Sequence, residues 1–437
     1  MIGRTLRKYR LDHDFRDTVK SSFSSLLIRF IGVLTGFLAT VITTRYYGAD
    51  AFGIVAICLA ILSFAVIIGK MGFDVSLMRY IADFSSKKNH PAIKGVFLKA
   101  MKVIVPLCIV LSAILFFFSH FIAEQIFHKA QLEKVIRYNS FFVLPLVMIL
   151  VNSECIRGLK KINSYTFYQT TSVSGMATIL LIVFIFIDRG NHIPAYIQLV
   201  CITLAAMFSL FSFLRYSEFT KHSVKSELSA GDLLKTSSPI FVSTLMQLIM
   251  SWAGTLILAA HAPEADVGIY NALVRISVFT NITILAVNSG MMPKFAVAYS
   301  SGNMNDLKQL ARNAVRIIFL SALPIFILLM AFPGIILKIF GKDFNGHENA
   351  LYILLFGQLF VVFAGLPSQI LNMTDRQHLL RNISVVAALF NVVFCFILIP
   401  SYGIMGACIA QVAGMVVWNV LCIATIYRKF GFWTFFK

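Results

Sequence analysis

In the run SSLLIRFIGVLTGFLATVITT, Ser24 to Thr44, an apolar stretch long enough to cross a bilayer carries one charge, Arg29. An ionised group at such a place costs several kcal/mol unless it meets a partner, water or an interface within reach. A guanidinium keeps its proton and presents a planar fork of donors, which suits recognition of a phosphate-like anion. Ser25, Arg29, Gly32, Gly36, Thr40 and Thr43 recur at three- and four-residue steps, so they share one helical face that is small and polar. Two readings stay open. Either the small residues serve close helix packing while Arg29, about 8 to 12 Å deep at 1.5 Å per residue, snorkels to the headgroups, or the stripe lines a cleft in which Arg29 meets an anion.

A second arginine inside an apolar run, Arg275, raises the same question. Its helical angle lies roughly opposite Ser277, Asn281 and Asn288, so both sets cannot face a cleft squarely, and Arg275 is the one expected there. Ser243, Thr244, Gln247, Ser251, Gly254 and Thr255 spread over one broad polar face. That face serves either hydrogen bonding to neighbouring helices or a water-filled cavity offering hydroxyls and amides to a polar ligand. Asp74 stands four residues from Lys70, a spacing that favours an ion pair, with Arg79 close by; these read as a solvated interfacial cluster or as ion-coupling or gating groups. Glu154, three residues before Arg157, is the acid placed within a span and the first candidate for cation coupling. His120, at the outer end of its apolar stretch, and His128, His192, His261 and His347 belong to outer loops. No GxxxxGK[ST], GxSxG or HExxH occurs, so neither ATP hydrolysis, nor a catalytic constellation, nor a metal or cofactor is expected.

The elements that position these residues follow from composition. The chain has 437 residues, 58% hydrophobic and 13% charged, with a mean hydropathy of +0.82, too apolar for a water-soluble domain. It reads as an integral membrane protein. The first residues, MIGRTLRKYRLDHDFRDTVK, lack a short apolar core followed by a small-residue cleavage site, so the first span is expected to stay as an anchor. All seven cysteines (Cys58, Cys108, Cys155, Cys201, Cys395, Cys408, Cys422) lie in apolar segments without CxxC spacing and read as small core residues.

Apolar stretches of about 20 residues number twelve, near 22–44, 51–71, 100–122, 138–157, 165–187, 193–214, 239–260, 268–292, 314–337, 350–373, 379–399 and 403–426. With the amino terminus on the cytoplasmic side, 29 of the 38 Lys and Arg fall in cytoplasmic segments and seven in outer ones, as the positive-inside rule requires. The net charge of +19 is thereby explained by topology, and a nucleic-acid partner is excluded. Both termini are expected in the cytoplasm.

The polar stretch RYSEFTKHSVKSELSAGDLLKTSSP, Arg215 to Pro239, divides the spans six and six. At a shift near 215, ADAFGI (Ala49 to Ile54) falls on EADVGI (Glu264 to Ile269), with Gly53 on Gly268, and Phe84-Ser85-Ser86 on Tyr299-Ser300-Ser301; RGLKK after span four matches NMTDR after span ten. The common shift indicates duplication. An even number of spans per half gives parallel repeats about a pseudo-twofold axis along the membrane normal, with a cleft between them. The expected divisions are a cytoplasmic segment 1–21, an N-lobe 22–214, a linker 215–238, a C-lobe 239–427 and a tail 428–437.

TTRYYGADAFGIVAICLAILSFAVIIGKMGFDVSLMRYIADF resembles the first-to-second-span region of bacterial polysaccharide exporters and O-antigen flippases, and IPSYGIMGACIAQVAG, Ile399 to Gly414, resembles their penultimate turn and last helix. These belong to the multidrug/oligosaccharidyl-lipid/polysaccharide exporter superfamily, and the likeness in span order covers nearly the whole chain. The resemblance implies an all-α polytopic protein of two six-helix bundles forming a V, set in the bacterial cytoplasmic membrane, that moves an undecaprenyl-pyrophosphate-linked oligosaccharide by alternating access. Arg29, Arg275, Gln247, Ser243 and Thr40 would then bind substrate, Arg29 at the pyrophosphate, and a polysaccharide polymerase complex is a candidate partner beside the membrane lipids. Two more helices, common in lipid II flippases, are not found. A multidrug or organic-cation antiporter would want an acidic, aromatic pocket, which the scarcity of acids disfavours. A membrane glycan-modifying enzyme would want polar clusters in large loops, and the loops are short.

Overall fold

The computed structural model describes residues 24–187, 190–219, 230–374 and 376–434, and within them the regular elements are helical. The segment 1–21 and most of the expected linker lie outside the described residues. What is described of that linker already departs from expectation, because a helix runs unbroken from Ala230 to His261 and so begins inside it.

Apolar runs fold this way because a bilayer offers no partner to backbone N–H and C=O groups, which a helix satisfies within itself. Among the described residues nine helices are long and apolar enough to cross a membrane, and the pair Glu348–Ala364 and Pro367–Met373, bent by 41°, makes a tenth. Two of the nine are far longer than one crossing needs. Ser24–Lys70 has 47 residues and Gln377–Phe430 has 54, about 70 to 80 Å if straight against an apolar thickness of about 30 Å. Each breaks at a glycine. Gly48 has φ 92°, after a π-turn over Thr43–Tyr47, and Gly403 has φ 51° and ψ −125°. Both stand in open space, so it is the backbone conformation that calls for glycine, not crowding.

The helices His90–Phe117 and Met304–Ala331 share a construction. Each has 28 residues and opens on an asparagine whose side chain accepts the backbone N–H three residues on, Asn89 from Ala92 and Asn303 from Asp306. These caps satisfy donors that the first helical turn leaves free. They lie just after Phe84-Ser85-Ser86 and Tyr299-Ser300-Ser301, where the sequence repeat places corresponding ends.

Among the described residues the buried core is joined on one side of the molecule and falls into separate clusters on the other, where the helix Ala230–His261 still packs against Phe73–Ser86 and His90–Phe117. Buried residues from Ala49 to Cys58 and from Ala123 to Ile136 share one cluster with the later half of the chain, Ala253 through Phe432. From Leu62 onward, in the direction of the Lys- and Arg-rich loops, the first half has its own cluster, running to Phe213. The joint is tightest where two glycines meet. A Cβ added to Gly53 would lie 1.9 Å from the Glu264 carbonyl oxygen, and one added to Gly268 would lie 2.0 Å from the Ala49 carbonyl oxygen. Gly53 and Gly268 are 215 residues apart, and so are Ala49 and Glu264. Each half therefore presents to the other the position it receives, the reciprocity of a twofold contact.

Candidate functional site

Arg275 reaches from the helix Glu264–Val278 to the first helix, where its Nη1 donates to Thr40 Oγ1 at 2.6 Å. Gly36, one turn away, makes room for the fork, since a Cβ there would lie 3.0 Å from Arg275 Nη2. Two cavities border this guanidinium. One of about 480 Å³ is lined by Thr40, Thr43, Gln198, Trp252 and Asn271 among others, and one of about 420 Å³ by Gly32, Thr170, Ser174 and Asn281 among others. Protein surrounds Arg275 at longer range on all sides, yet its side chain is accessible, because what it faces is cavity. Among the described residues no carboxylate pairs with it. The positive charge is held by a hydroxyl and by whatever fills the cavities.

Asn281 shares the second cavity with Arg275, which corrects the expectation that the two face opposite ways. The helix does not continue with one periodicity. A 3-10 turn over Phe279–Asn281, with three residues per turn, resets the angle. The side-chain oxygens of Asn281 and Asn288 are both buried without a partner. Ser277 does face away, donating to the Val274 carbonyl at 2.8 Å.

The polar stripe of the first helix divides between the two roles left open for it. At Gly32, on the edge of the second cavity, it is mainly close packing, with an added Cβ 2.8 Å from the Thr170 carbonyl, while Thr171 donates to the Ile28 carbonyl at 2.9 Å and Thr178 to that of Thr35 at 2.9 Å. At Gly36 and Thr40 it is cavity wall. Thr40 and Thr43 also donate to carbonyls four residues back, at 3.0 and 2.8 Å, so neither hydroxyl is stranded in apolar surroundings. Arg29 lies outside both cavities, half-buried and within electrostatic reach of Tyr165. Eleven residues separate it from Thr40, about 16 Å along the helix, so Arg29 and Arg275 stand at different depths.

On the helix Ala230–His261 the expected polar face splits. Thr255 donates to Asn271 at 3.1 Å and Gly254 lets Tyr270 approach, both serving packing. Gln247 and Ser251 are exposed and Ser243 is half-buried; neither Ser243 nor Gln247 borders the cavities at Arg275. Trp252, Asn271, Gln198 and Ser174 were missed as cavity residues. The four-residue step from Asn271 to Arg275 was a usable signal for one of them.

The two acids expected to couple or gate, Asp74 and Glu154, each form a local pair. Lys70 Nζ donates to Asp74 Oδ2 at 2.5 Å, and Arg157 Nη1 to Glu154 Oε2 at 3.2 Å, with the Arg157 guanidinium 5.2 Å from the centre of the Tyr165 ring. Asp74 and Glu154 are 7% and 8% exposed and within electrostatic reach of each other; Asp74 Oδ1 is buried without a partner. Arg79 is exposed and joins neither pair. Neither carboxylate lines the cavities around Arg275.

On the side where the cores join, the halves also share polar contacts. Gln131 Nε2 donates to Glu264 Oε1 at 2.6 Å, Lys129 Nζ to the Ala262 carbonyl at 2.6 Å, and Lys129 Nζ stands 4.0 Å from Glu264 Oε2. Burial pushes the Lys129 ammonium down from its ordinary value, and the Glu264 and Asp266 carboxylates work against that.

Comparison with known proteins agrees with this architecture. The family model described as polysaccharide biosynthesis protein matches residues 18–298, and the MatE model matches residues 239–397. Stage V sporulation protein B of Bacillus subtilis is 21% identical over 92% of this chain and 83% of its own length. Among solved structures, an inward-facing multidrug resistance MATE family transporter of the MOP superfamily superposes with a TM-score of 0.78 at 16% identity, covering 93% of this chain and 98% of the other. The lipid II flippase MurJ in an inward closed conformation gives 0.73 at 13% identity, covering 93% and 87%. The fold is that of the MOP exporters, and with the family model matched over more than half of its length, the chain belongs to the polysaccharide biosynthesis protein family of that superfamily.

Proposed function

We propose that the protein is a flippase carrying an undecaprenyl-pyrophosphate-linked oligosaccharide, such as an O-antigen repeat unit, across a bacterial inner membrane by alternating access. The basic loops and both termini would face the cytoplasm. One observation carries the reading: the Arg275 guanidinium, between the halves, borders two cavities and has no carboxylate partner among the described residues. A fixed fork of donors in a cavity is built for a mobile phosphate, and the amides and hydroxyls of Asn271, Gln198, Thr43 and Ser174 suit sugar hydroxyls. Arg29, about 16 Å nearer the basic side, would meet the pyrophosphate first and pass it inward. Gln247 and Ser243, outside these cavities, would contact cargo only along its entry.

Twelve spans in two six-helix lobes, 22–214 and 239–427, joined by the cytoplasmic segment 215–238, support such a cycle. The two long helices that break at Gly48 and Gly403 would each count as two crossings in this reading, raising the ten to twelve. The reciprocal contact of Gly53 and Gly268 fits a pseudo-twofold between lobes, and the divided core fits a V whose apex is on the outer side. Lys70, Asp74, Glu154 and Arg79 would serve coupling or gating. The MOP fold also houses multidrug transporters, and the matched MatE model favours keeping an organic-cation antiporter as the second reading; a cavity whose one charge is cationic tells against it.

The test is export at matched membrane levels, in vesicles loaded with a defined lipid-linked oligosaccharide. Arg275→Ala should abolish it and Arg275→Lys restore part, because lysine keeps the charge but loses the fork. Arg29→Ala should also fail, whereas a snorkelling Arg29 would be replaced by lysine without loss. Wild-type export by Arg275→Ala, or export of organic cations in place of the glycolipid, would end the proposal.

A further inference from the structure

At the basic end of the helix Met304–Ala331, a groove of about 320 Å³ is lined by Asn305, Lys308, Gln309, Arg312, Asn313 and Arg316. Three cations and three amides line it, and among the described lining residues there is no carboxylate. They recur at three- and four-residue steps and so share one face. Among the described residues no carboxylate pairs with Lys308 or Arg312, and the Arg312 Nε–H is buried without an acceptor. Such a donor is costly to leave unmet.

A second cavity of about 470 Å³ adjoins the groove through Gln309 and Asn313. It lies between this helix and Ile282–Ser300, and adds Lys294 and the apolar Val297, Ala298 and Leu310. Asp306 also lines it, but its Oδ2 already accepts from Asn303 Nδ2 at 2.7 Å within the helix cap. Beyond Arg316 the same face becomes apolar and exposed, at Ile317, Leu320, Ile327 and Leu328. Donors for a phosphate therefore stand at the foot of an uncovered apolar stripe.

We infer that this groove holds the phosphate of an anionic phospholipid of the leaflet on the basic side. Lys308, Arg312 and Arg316 take the headgroup, the amides take its remaining oxygens, and an acyl chain lies along Val297, Ile317 and Leu320. The site is distinct from the cavities at Arg275, shares no residue with them, and rests on the cytoplasmic placement of the basic loops only for which leaflet supplies the lipid.

The experiment uses purified full-length protein titrated with phosphatidylglycerol or phosphatidylcholine, with bound lipid counted by native mass spectrometry. The wild type should retain phosphatidylglycerol over phosphatidylcholine. Lys308→Gln/Arg312→Gln/Arg316→Gln should lower phosphatidylglycerol affinity on the order of 100-fold, from three interfacial charges. Lys87→Gln/Lys88→Gln/Arg381→Gln, which removes the same charge from exposed positions elsewhere on that side, should leave it unchanged. If the triple variant fails to fold, the single changes Lys308→Gln and Arg312→Gln carry the test, each expected to weaken binding about fivefold. Unchanged affinity in variants that fold, or equal retention of phosphatidylcholine, would overturn the inference. Displacement of the lipid by millimolar inorganic phosphate would also overturn it, and would assign the groove to a soluble anion.

Discussion

Replacing Gly53 with alanine should open the side of the molecule on which the two halves share a core. The added Cβ would fall 1.9 Å from the Glu264 carbonyl oxygen, a separation that side-chain carbons do not tolerate. That oxygen belongs to the backbone, so relief requires the helices Gly48–Lys70 and Glu264–Val278 to part by more than 1 Å. Overpacking of this kind costs about 1 to 3 kcal/mol, and each 1.4 kcal/mol is a factor of ten in population. The joined conformation should therefore lose roughly 5- to 150-fold against any conformation in which these helices are apart. Gly268→Ala should do the same from the other side. The double variant should cost less than the sum, because one separation relieves both contacts. The assay is cross-linking of Gln131→Cys to Glu264→Cys by a short bifunctional thiol reagent, at positions whose longer native side chains meet at 2.6 Å; the seven native cysteines are buried and contribute little background. Cross-linking should fall in Gly53→Ala and glycolipid export with it, while Gly290→Ala, with open space around its Cβ, should change neither. Wild-type cross-linking in Gly53→Ala would refute the tight crossing of these helices.

Gln131→Ala removes a donor from Glu264, whose carboxylate is 7% exposed; the joined side should weaken by about 1 to 3 kcal/mol, read as faster thiol labelling of a cysteine placed at Ala265. Glu154→Gln should leave the fold intact, since an amide still accepts from Arg157, but should abolish any dependence of export on an ion gradient if the Glu154 and Asp74 pairs couple transport; unaltered gradient dependence would remove Glu154 from that role. The His120 imidazole is held above its ordinary value by the hydrogen bond with Glu133 and then by the charge of Glu124. Its contribution to holding the 119–133 segment is thus complete below the ordinary histidine value and lost as pH rises through the raised one. Hydrogen exchange across residues 119–137 should speed up over that rise, and His120→Ala should remove the dependence.

The all-helical, membrane-spanning character was legible because it is carried by long patterns. Apolar length decides a membrane helix nearly alone, and a shift of 215 survives in loop ends, with the paired caps Asn89 and Asn303 standing 214 apart, even where side chains differ. Lys70 with Asp74, and Glu154 with Arg157, were legible because pairs three and four residues apart depend only on local helix geometry. What a helical wheel could not supply was the partner helix. Gly32 and Gly36 look alike in sequence, yet one meets a backbone and the other a guanidinium, and the difference lies in the helices Ile162–Phe184 and Glu264–Val278 that cross them. The placement of Asn281 failed for a related reason: a wheel assumes one period, and three residues of 3-10 helix break it.

That failure bears on how the arginine is kept in the membrane. A single helix with Arg275 on one face and Asn281 on another would bury one of them against its own half, where a charge or an amide would need a partner nearby. The 3-10 turn instead brings both to one cavity, and Thr40 of the opposite half supplies the one strong bond to the guanidinium. Arg275 is thus held by contact between the halves, not within one. In the proposed cycle the halves would part, and that bond would then break and the charge be met by water or by an anion. A phosphate in the cavity would lower the cost of that step, so cargo and conformational change would act on the same side chain. Thr40→Val separates the two: it removes the bond across the halves while leaving the arginine. Empty protein should then part more readily, with lower cross-linking between positions 131 and 264, and added glycolipid should shift that equilibrium less than it shifts the wild type. An equal shift in both would mean that Arg275 does not link cargo to the movement of the halves.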